Sequence, residues 1–327
     1  MEKFRNLIGI ILFLSGIGIC FYPDISTWLL ERQTENMIQE FEERTEIQYT
    51  KNKEEKTAAS MIKEEDTLYQ ECLTYNRSIC EEGQSGLKDA WSCEQSPPEL
   101  ASSEDGVFGY VDIPAMDTTL ALYLGASERN LIKGAAVMGQ TSLPIGGEDT
   151  NCVIAGHRGY YGSPYFREIE QLKVGDVVRI RNPWEILTYR VCFIDIIQPY
   201  DIDAVKIQKG RDMVTLMTCH PYAANTIDKM RYVVYCERDE SADEEVTVSG
   251  ADGAGSAGQN GAIEASNGKL YKSSTEDIRM EYLLRRGCAV LLMLMAIMMA
   301  ARLWRWRTKS SYMFDSSGLP EQESGNP

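Results

Sequence analysis

The stretch Val214-Thr215-Leu216-Met217-Thr218-Cys219-His220-Pro221-Tyr222 decides how this chain is read. β-Branched and apolar residues run up to Cys219, and the polar His-Pro-Tyr exit ends the run. That pattern is a strand with a thiol at its end. A second run, Arg231-Tyr232-Val233-Val234-Tyr235-Cys236, opens on an arginine. Upstream, Cys152-Val153-Ile154-Ala155 leads through Gly156 to His157, Arg158 and Gly159, so an imidazole stands just past a third strand. A thiol that attacks, an imidazole that moves protons and a fixed cation near a developing oxyanion are the parts of thiol-based acyl transfer.

Each of these residues also has a plainer reading. A cysteine in a strand is usually a small buried hydrophobe, which suits Cys152, Cys192 and Cys236 in their apolar runs. Cys219 differs in having polar and basic company. The chain has two histidines. His220 adjoins Cys219, but neighbours on a strand face opposite sides, which leaves His157 as the better partner. Arg231 lies closest to the thiol end of its strand. Arg211 and Arg238 are weaker candidates, because one precedes the Cys219 strand and the other ends the last strand away from the thiol.

Further short runs of strand character surround these three. They are Gly109-Tyr110-Val111-Asp112-Ile113, Leu120-Ala121-Leu122-Tyr123, Val177-Val178-Arg179-Ile180 and Leu187-Thr188-Tyr189-Arg190-Val191. Turn residues such as Pro144-Ile145-Gly146-Gly147 and Val174-Gly175-Asp176 separate them. Many short strands with few helices predict a mainly β domain, a barrel or a sandwich, over residues 106–240. The best short helix in this region is 165–172. Before it, residues 31–75 are charged and lack Gly and Pro, with apolar residues at loose helical spacing, which predicts amphipathic helices. Their acidity suits a solvated stalk. After the β domain, a Gly/Ala/Ser/acid segment predicts a disordered linker.

Two apolar runs, Leu7 to Tyr22 and Cys288 to Ala301, stand at the ends of the 327 residues. Flanking aromatics and arginines, among them Trp28, Arg302, Trp304 and Trp306, extend both toward the roughly 20 residues a bilayer requires. Lys3 and Arg5 precede the first run, while Arg302, Arg305, Arg307 and Lys309 follow the second. By the positive-inside rule both termini are cytoplasmic and everything between lies outside. The net charge of −16 argues against nucleic acid as a partner. Of nine cysteines, Cys72, Cys80 and Cys93 cluster ahead of the β domain and leave room for one disulfide of undetermined pairing. No Cys/His spacing of a zinc site occurs, and no metal or other cofactor is expected.

The run Thr215-Leu216-Met217-Thr218-Cys219 resembles the TLxTC signature of the sortases, membrane-anchored cysteine transpeptidases of Gram-positive bacteria. His157 and Arg231 stand where that family has its other two active-site residues, and the resemblance covers residues 106–238. Other features look like class C, the pilin-polymerising branch. These are the run from Gly139 to Gly147, His157-Arg158-Gly159, Cys219-His220-Pro221-Tyr222 with Asn225-Thr226, and the second apolar run. Class C enzymes carry a lid with an Asp-Pro-aromatic motif. Asp89-Ala90-Trp91 stands in that place here, with Ala90 where the motif has Pro, so Asp89 and Trp91 are the lid residues the resemblance implies. The segment from Asn225 to Arg231 is longer than the usual class C form.

The resemblance implies a closed sortase-type β-barrel. It also implies cleavage of an LPXTG-like sorting signal between Thr and Gly through a thioacyl-enzyme on Cys219, with His157 moving protons and Arg231 holding the oxyanion. The acceptor amine in class C is a pilin lysine; in anchoring sortases it belongs to a peptidoglycan precursor. A hydrolytic cysteine peptidase and a non-catalytic pilus-assembly adaptor are the other classes weighed. The expected division is a cytoplasmic start (1–6), a transmembrane anchor (7–30), an extracellular helical segment with the lid (31–105), the catalytic barrel (106–240), a disordered linker (241–281), a second transmembrane helix (282–304) and a cytoplasmic tail (305–327).

Overall fold

The structure, a computed structural model, describes residues 2–54, 63, 66–88, 100, 106–159, 165–222, 229–243 and 262–315. Its chain order begins with helices α1 (Glu2–Glu54) and α2 (Thr67–Glu81), strands β1 (Gly109–Ile113) and β2 (Thr118–Leu124), the short helix α3 (Glu128–Leu131), and β3 (Ala135–Val137) and β4 (Thr150–Ala155). Next come β5 (Val177–Arg181), β6 (Ile186–Ile197), β7 (Asp212–His220), β8 (Met230–Arg238), the short helix α4 (Glu240–Asp243), β9 (Ala262–Glu264), β10 (Leu270–Lys272) and helix α5 (Thr275–Asp315).

Strands β1 to β8 close into a barrel in the order β1-β2-β3-β4-β7-β8-β6-β5. The β2/β3 and β4/β7 pairs are parallel. The expected closed barrel is therefore present, and each strand expected from the sequence lies inside one of these elements. β3 is an addition, too short for its alternation to stand out.

Alternation along the strands sorts side chains onto two faces. One set draws on all eight strands, including Val111, Leu122, Val137, Ile154, Ile180, Tyr189, Leu216 and Val234, and fills the barrel interior. The other set, with Val153, Ala155, Met217 and Val233, lies on the outer face of β4, β7 and β8 and is covered by Leu131 and Val205. Strands β4 and β7 are thus buried on both faces, which is why they read as nearly continuous apolar runs.

The segment before the barrel is less solvated than its acidity suggested. Phe41 of α1 is buried. Its neighbour Glu42 accepts from Tyr110 Oη at 2.9 Å and pairs with Arg181 at 3.4 Å. Helix α2 starts at an N-cap, Asp66, whose carboxylate accepts from Tyr69 N. Cys72, Asn76 and Ile79 recur on one buried face. Asn76 clips the Gly139–Gly147 run, accepting from Leu143 N at 2.7 Å and donating to Leu143 O at 3.3 Å. Just past the helix, Gln84 donates to Gln140 O and accepts from Ile207 N. Gly86 lets the Gln140 side chain lie close there, since a Cβ would fall 2.2 Å from Gln140 Oε1 and displace it.

Three local expectations change. Residues 165–172 form turns with a single 3-10 helix, Ile169–Gln171. Two buried aromatics, Tyr165 and Phe166, anchor this segment, and Tyr165 takes a positive φ of 41°, which interrupts a helix. Within the expected linker, 262–272 is an antiparallel hairpin, β9 against β10, with Ala265 buried in the barrel-side cluster. Cys72 and Cys80 are free thiols, and Cys93 lies outside the described residues.

Among the described residues, 2–22 and 279–315 group as one unit and those within 23–278 as another. In α5, the 25 residues Thr275–Met299 include an unburied 18-residue stretch of mean hydropathy 1.7, and the helix is long and apolar enough to cross a membrane.

The packing yields a first prediction. Leu216→Ala opens a cavity in the barrel interior and should destabilise the chain by about 2–5 kcal/mol. Val174→Ala, at an exposed turn, should stay within about 0.5 kcal/mol. Urea midpoints of the two variants measure the difference, and equal shifts would contradict the interior assignment.

Candidate active site

Strand register brings the three candidate residues into one row. Cys219 and Arg231 are direct partners in the β7/β8 ladder. Ala155 pairs with Met217 in the parallel β4/β7 ladder. Gly156 N continues it by donating to Met217 O at 3.1 Å, and Thr218 Oγ1 donates to Gly156 O at 2.7 Å. Two residues further on, His157 therefore stands level with Cys219. Neighbouring strands lie about 4.8 Å apart. His157, Cys219 and Arg231 share the parity of Ala155, Met217 and Val233, so the row faces the outer side of the barrel.

Cys219 is half-buried at the end of β7. Arg231 directs Nη1 toward its sulfur at 3.9 Å, and the same nitrogen donates to Lys229 O at 2.9 Å. A cation beside the thiol is suited to a thiolate and to the negative charge that follows its attack. His157 is held from two sides. Its carbonyl accepts from Phe166 N at 2.9 Å, and its ring meets Tyr165 edge-on at 6.1 Å. Gly156 ahead of it must lack a side chain, because a Cβ would approach Phe166 Cδ2 to 2.7 Å. Burial lowers the His157 pKa; Glu128 opposes this and Lys229 adds to it. The imidazole is accordingly neutral down to lower pH than an ordinary histidine.

The alternative arginines lie elsewhere. Arg211 pairs with Glu237 and Arg238 approaches Asp212, both at the opposite ends of β7 and β8 from Cys219. His220 is buried and belongs to the other face, as alternation requires. Cys152 and Cys236 are buried, and burial raises both thiol pKa values. Asp89, Trp91, Asn225 and Thr226 lie outside the described residues. The described chain before the first two ends at Lys88. Its neighbour Leu87 is buried in the outer cluster that includes Met217 and Val233. Among the described residues no group of His, Cys, Asp and Glu could hold a metal ion.

Sequence reasoning missed a second row directly behind the first. Arg158 and His220 are buried and the side chain of the half-buried Glu170 is 4% exposed, with Arg158 Nη1 2.9 Å from His220 Nδ1 and Nη2 paired with Glu170 Oε1. Glu170 sits in the 3-10 turn of a polar-looking segment, where nothing in the sequence distinguishes it from a surface acid.

The family model described as the sortase domain matches residues 111–239. Sortase A of Staphylococcus aureus is 25% identical over 154 residues, which cover 46% of this chain and 71% of that protein. The X-ray structure of Clostridium perfringens sortase C with the C-terminal cell wall sorting motif is 30% identical at a TM-score of 0.50. It covers 63% of this chain and 98% of that one. A mutant of sortase C-1 from S. pneumoniae is 28% identical at a TM-score of 0.50, covering 62% and 97%. Barrel and relatives together define a cysteine transpeptidase. More narrowly, the chain belongs to the sortase family, and the similar solved structures are sortase C enzymes.

The lowered His157 pKa gives a second prediction. With two histidines in the chain, an NMR titration resolves both rings, and His157→Gln identifies the His157 signal. Its midpoint should fall below the ordinary histidine value of about 6.5. A midpoint above that value would contradict the burial argument.

Proposed function

We propose that this sortase cleaves an LPXTG-like sorting signal between its Thr and Gly and passes the new acyl group to an amine, most favourably a pilin lysine. The observation that carries the reading is the convergence of His157, just past β4, with Cys219 and Arg231, paired on the neighbouring strands β7 and β8. The Cys219 thiol gives its proton to His157 as its sulfur adds to the Thr carbonyl carbon, and the oxygen that becomes negative lies within reach of the Arg231 guanidinium. As the C–N bond breaks, His157 gives a proton to the departing Gly amine, leaving a thioester on Cys219. An incoming amine then loses a proton to His157 and attacks the thioester carbon, and His157 returns that proton to the departing Cys219 sulfur, which restores the thiol. Support for the substrate class comes from the C. perfringens relative, a sortase C whose structure includes its C-terminal cell wall sorting motif.

The proposed setting is the cell membrane, with the barrel on the outer face and both termini cytoplasmic. The apolar stretch Thr275–Met299 and the basic residues after it support the second anchor. For the N-terminal anchor the support is the apolar run in the first half of α1.

The direct test is mass spectrometry of the chain with an LPXTG-type peptide, offered a lysine-bearing pilin fragment or, separately, a cell-wall-like oligoglycine amine. Wild type should form an adduct on Cys219 that passes to the lysine, and Cys219→Ala should form none. His157→Gln should slow transfer by about 10²–10⁴-fold, and Arg231→Lys by about 10²–10³-fold. Transfer to the oligoglycine alone would replace the pilin reading with cell-wall anchoring. Loss of the adduct to water, with no amine product, would indicate a hydrolase.

The proposed lid, Asp89 and Trp91, is tested separately. Trp91→Ala should speed alkylation of Cys219 by iodoacetamide, since a closed ring would shield the thiol. An unchanged rate would end the proposal.

A further inference from the structure

Each reactive residue is followed directly by a residue of the second row. Arg158 follows His157, and His220 follows Cys219. On β7, His220 turns to the face opposite Cys219, and Arg158, in the bend past β4, is buried against it beside the interior Tyr232. There Arg158 spans both strands. Its Nη1 meets His220 Nδ1 at 2.9 Å and lies 3.5 Å from the Cys219 carbonyl oxygen. Its Nη2 pairs with Glu170 Oε1, which is itself 3.5 Å from His220 Nδ1. Tyr232 of β8 stacks against this guanidinium at 5.5 Å.

Glu170 gathers the whole group. Its other oxygen, Oε2, accepts from Ser273 Oγ, from Ser274 N at 2.9 Å and from Thr275 Oγ1 at 3.2 Å. Ser274 Oγ in turn accepts from Tyr222 N at 3.1 Å, three residues beyond Cys219. The chain after hairpin β9/β10 therefore caps the carboxylate, and Tyr271 of that hairpin meets the His220 ring edge-on. Burial opposes ionisation of Glu170, but His220, Arg158 and Ser273 outweigh it and hold the carboxyl well below the usual carboxylate range. A buried carboxylate this fully partnered is a fixed charge.

Resting on the roles proposed for Cys219 and His157, we infer that Glu170 is a positioning residue for transpeptidation. By gripping Arg158 and His220 behind the reactive row, it holds the ends of β4 and β7 in the register that sets His157 against Cys219. The sortase reaction uses no charge at this place, and none of the three groups faces the outer side where substrate meets the thiol. A carboxylate that only filled the barrel end would not have to bridge the two residues that follow the reactive pair.

The test uses the full chain, with steady-state transfer of an LPXTG-type peptide to a lysine-bearing amine and, in parallel, the folded fraction at assay temperature. Glu170→Gln keeps the shape and removes the charge. It should lower kcat at least tenfold with KM within twofold, at an unchanged folded fraction, and Glu170→Asp should recover part of the loss. In a His157→Gln background, Glu170→Gln should cost little more, because the alignment it maintains then has no imidazole to align. Multiplying losses in the double variant, or a loss that follows the unfolded fraction, would overturn the inference. If Glu170→Gln does not fold, Arg158→Lys decides. It keeps the cation but cannot bridge Glu170 and His220, so kcat should fall tenfold, and a change within twofold would overturn the inference. Failure of the underlying site reading would look different, with wild type forming no Cys219 adduct or Cys219→Ala retaining transfer.

Discussion

The parallel pairing of β4 with β7 is the constraint on which the rest of the site depends. It joins segments 62 residues apart, as in the bond from Thr218 to Gly156. A slip of one residue in that ladder would turn every side chain of one strand to the other face. His157 and Cys219 would then no longer share a surface. Packing on both sides resists the slip, with Ile154 and Leu216 inside and Val153 and Met217 outside. The strand ends have fewer neighbours, and there the polar ties take over: Thr218 on Gly156, Phe166 N on the His157 carbonyl, and Arg158 beside the Cys219 carbonyl. Breaking a buried ion pair such as Arg158–Glu170 by removing one partner typically costs about 3–5 kcal/mol.

Much of the barrel was legible because strands write their burial into a short-range pattern. Gly109-Tyr110-Val111-Asp112-Ile113 alternates, and it became β1 with the same limits. The thiol at the end of Val214–Thr218 was legible for the same reason, since a polar exit follows it. Pairing was not legible, because nothing in Val153-Ile154-Ala155 names Leu216 as its neighbour. The convergence of His157 with Cys219 rested on chemistry and on family resemblance rather than on pattern. β3 escaped notice because Ala135-Ala136-Val137 is short and buried on both faces, which leaves no alternation to see. Hairpin β9/β10 sits in a Gly- and Ser-rich stretch of linker composition. It is ordered by contacts that sequence does not announce, such as Ser266 Oγ and N on Asp195.

The N-terminal helices serve the barrel rather than merely raising it. Asn76 and Tyr75 of helix α2, with Gln84 just past it, bind the backbone of the Gly139–Gly147 run, so that loop has side-chain partners from outside the barrel sequence. Glu42 of α1 likewise ties to β1 and β5 through Tyr110 and Arg181. A charged segment can thus be both soluble on one face and integral on the other, a distinction that composition averages away.

The barrel order also sets a timetable. β8 lies between β7 and β6, and β7 lies between β4 and β8, so the last barrel strands to be synthesised close the gap between β4 and β6. Contacts that span so much chain form late, because loop closure must precede their reward. A growing chain that has exposed His157, and even Cys219, still lacks the Arg231 strand that borders the thiol. The guanidinium therefore joins the thiol only after β8 has been made and paired, and a shorter chain carries Cys219 without that neighbour.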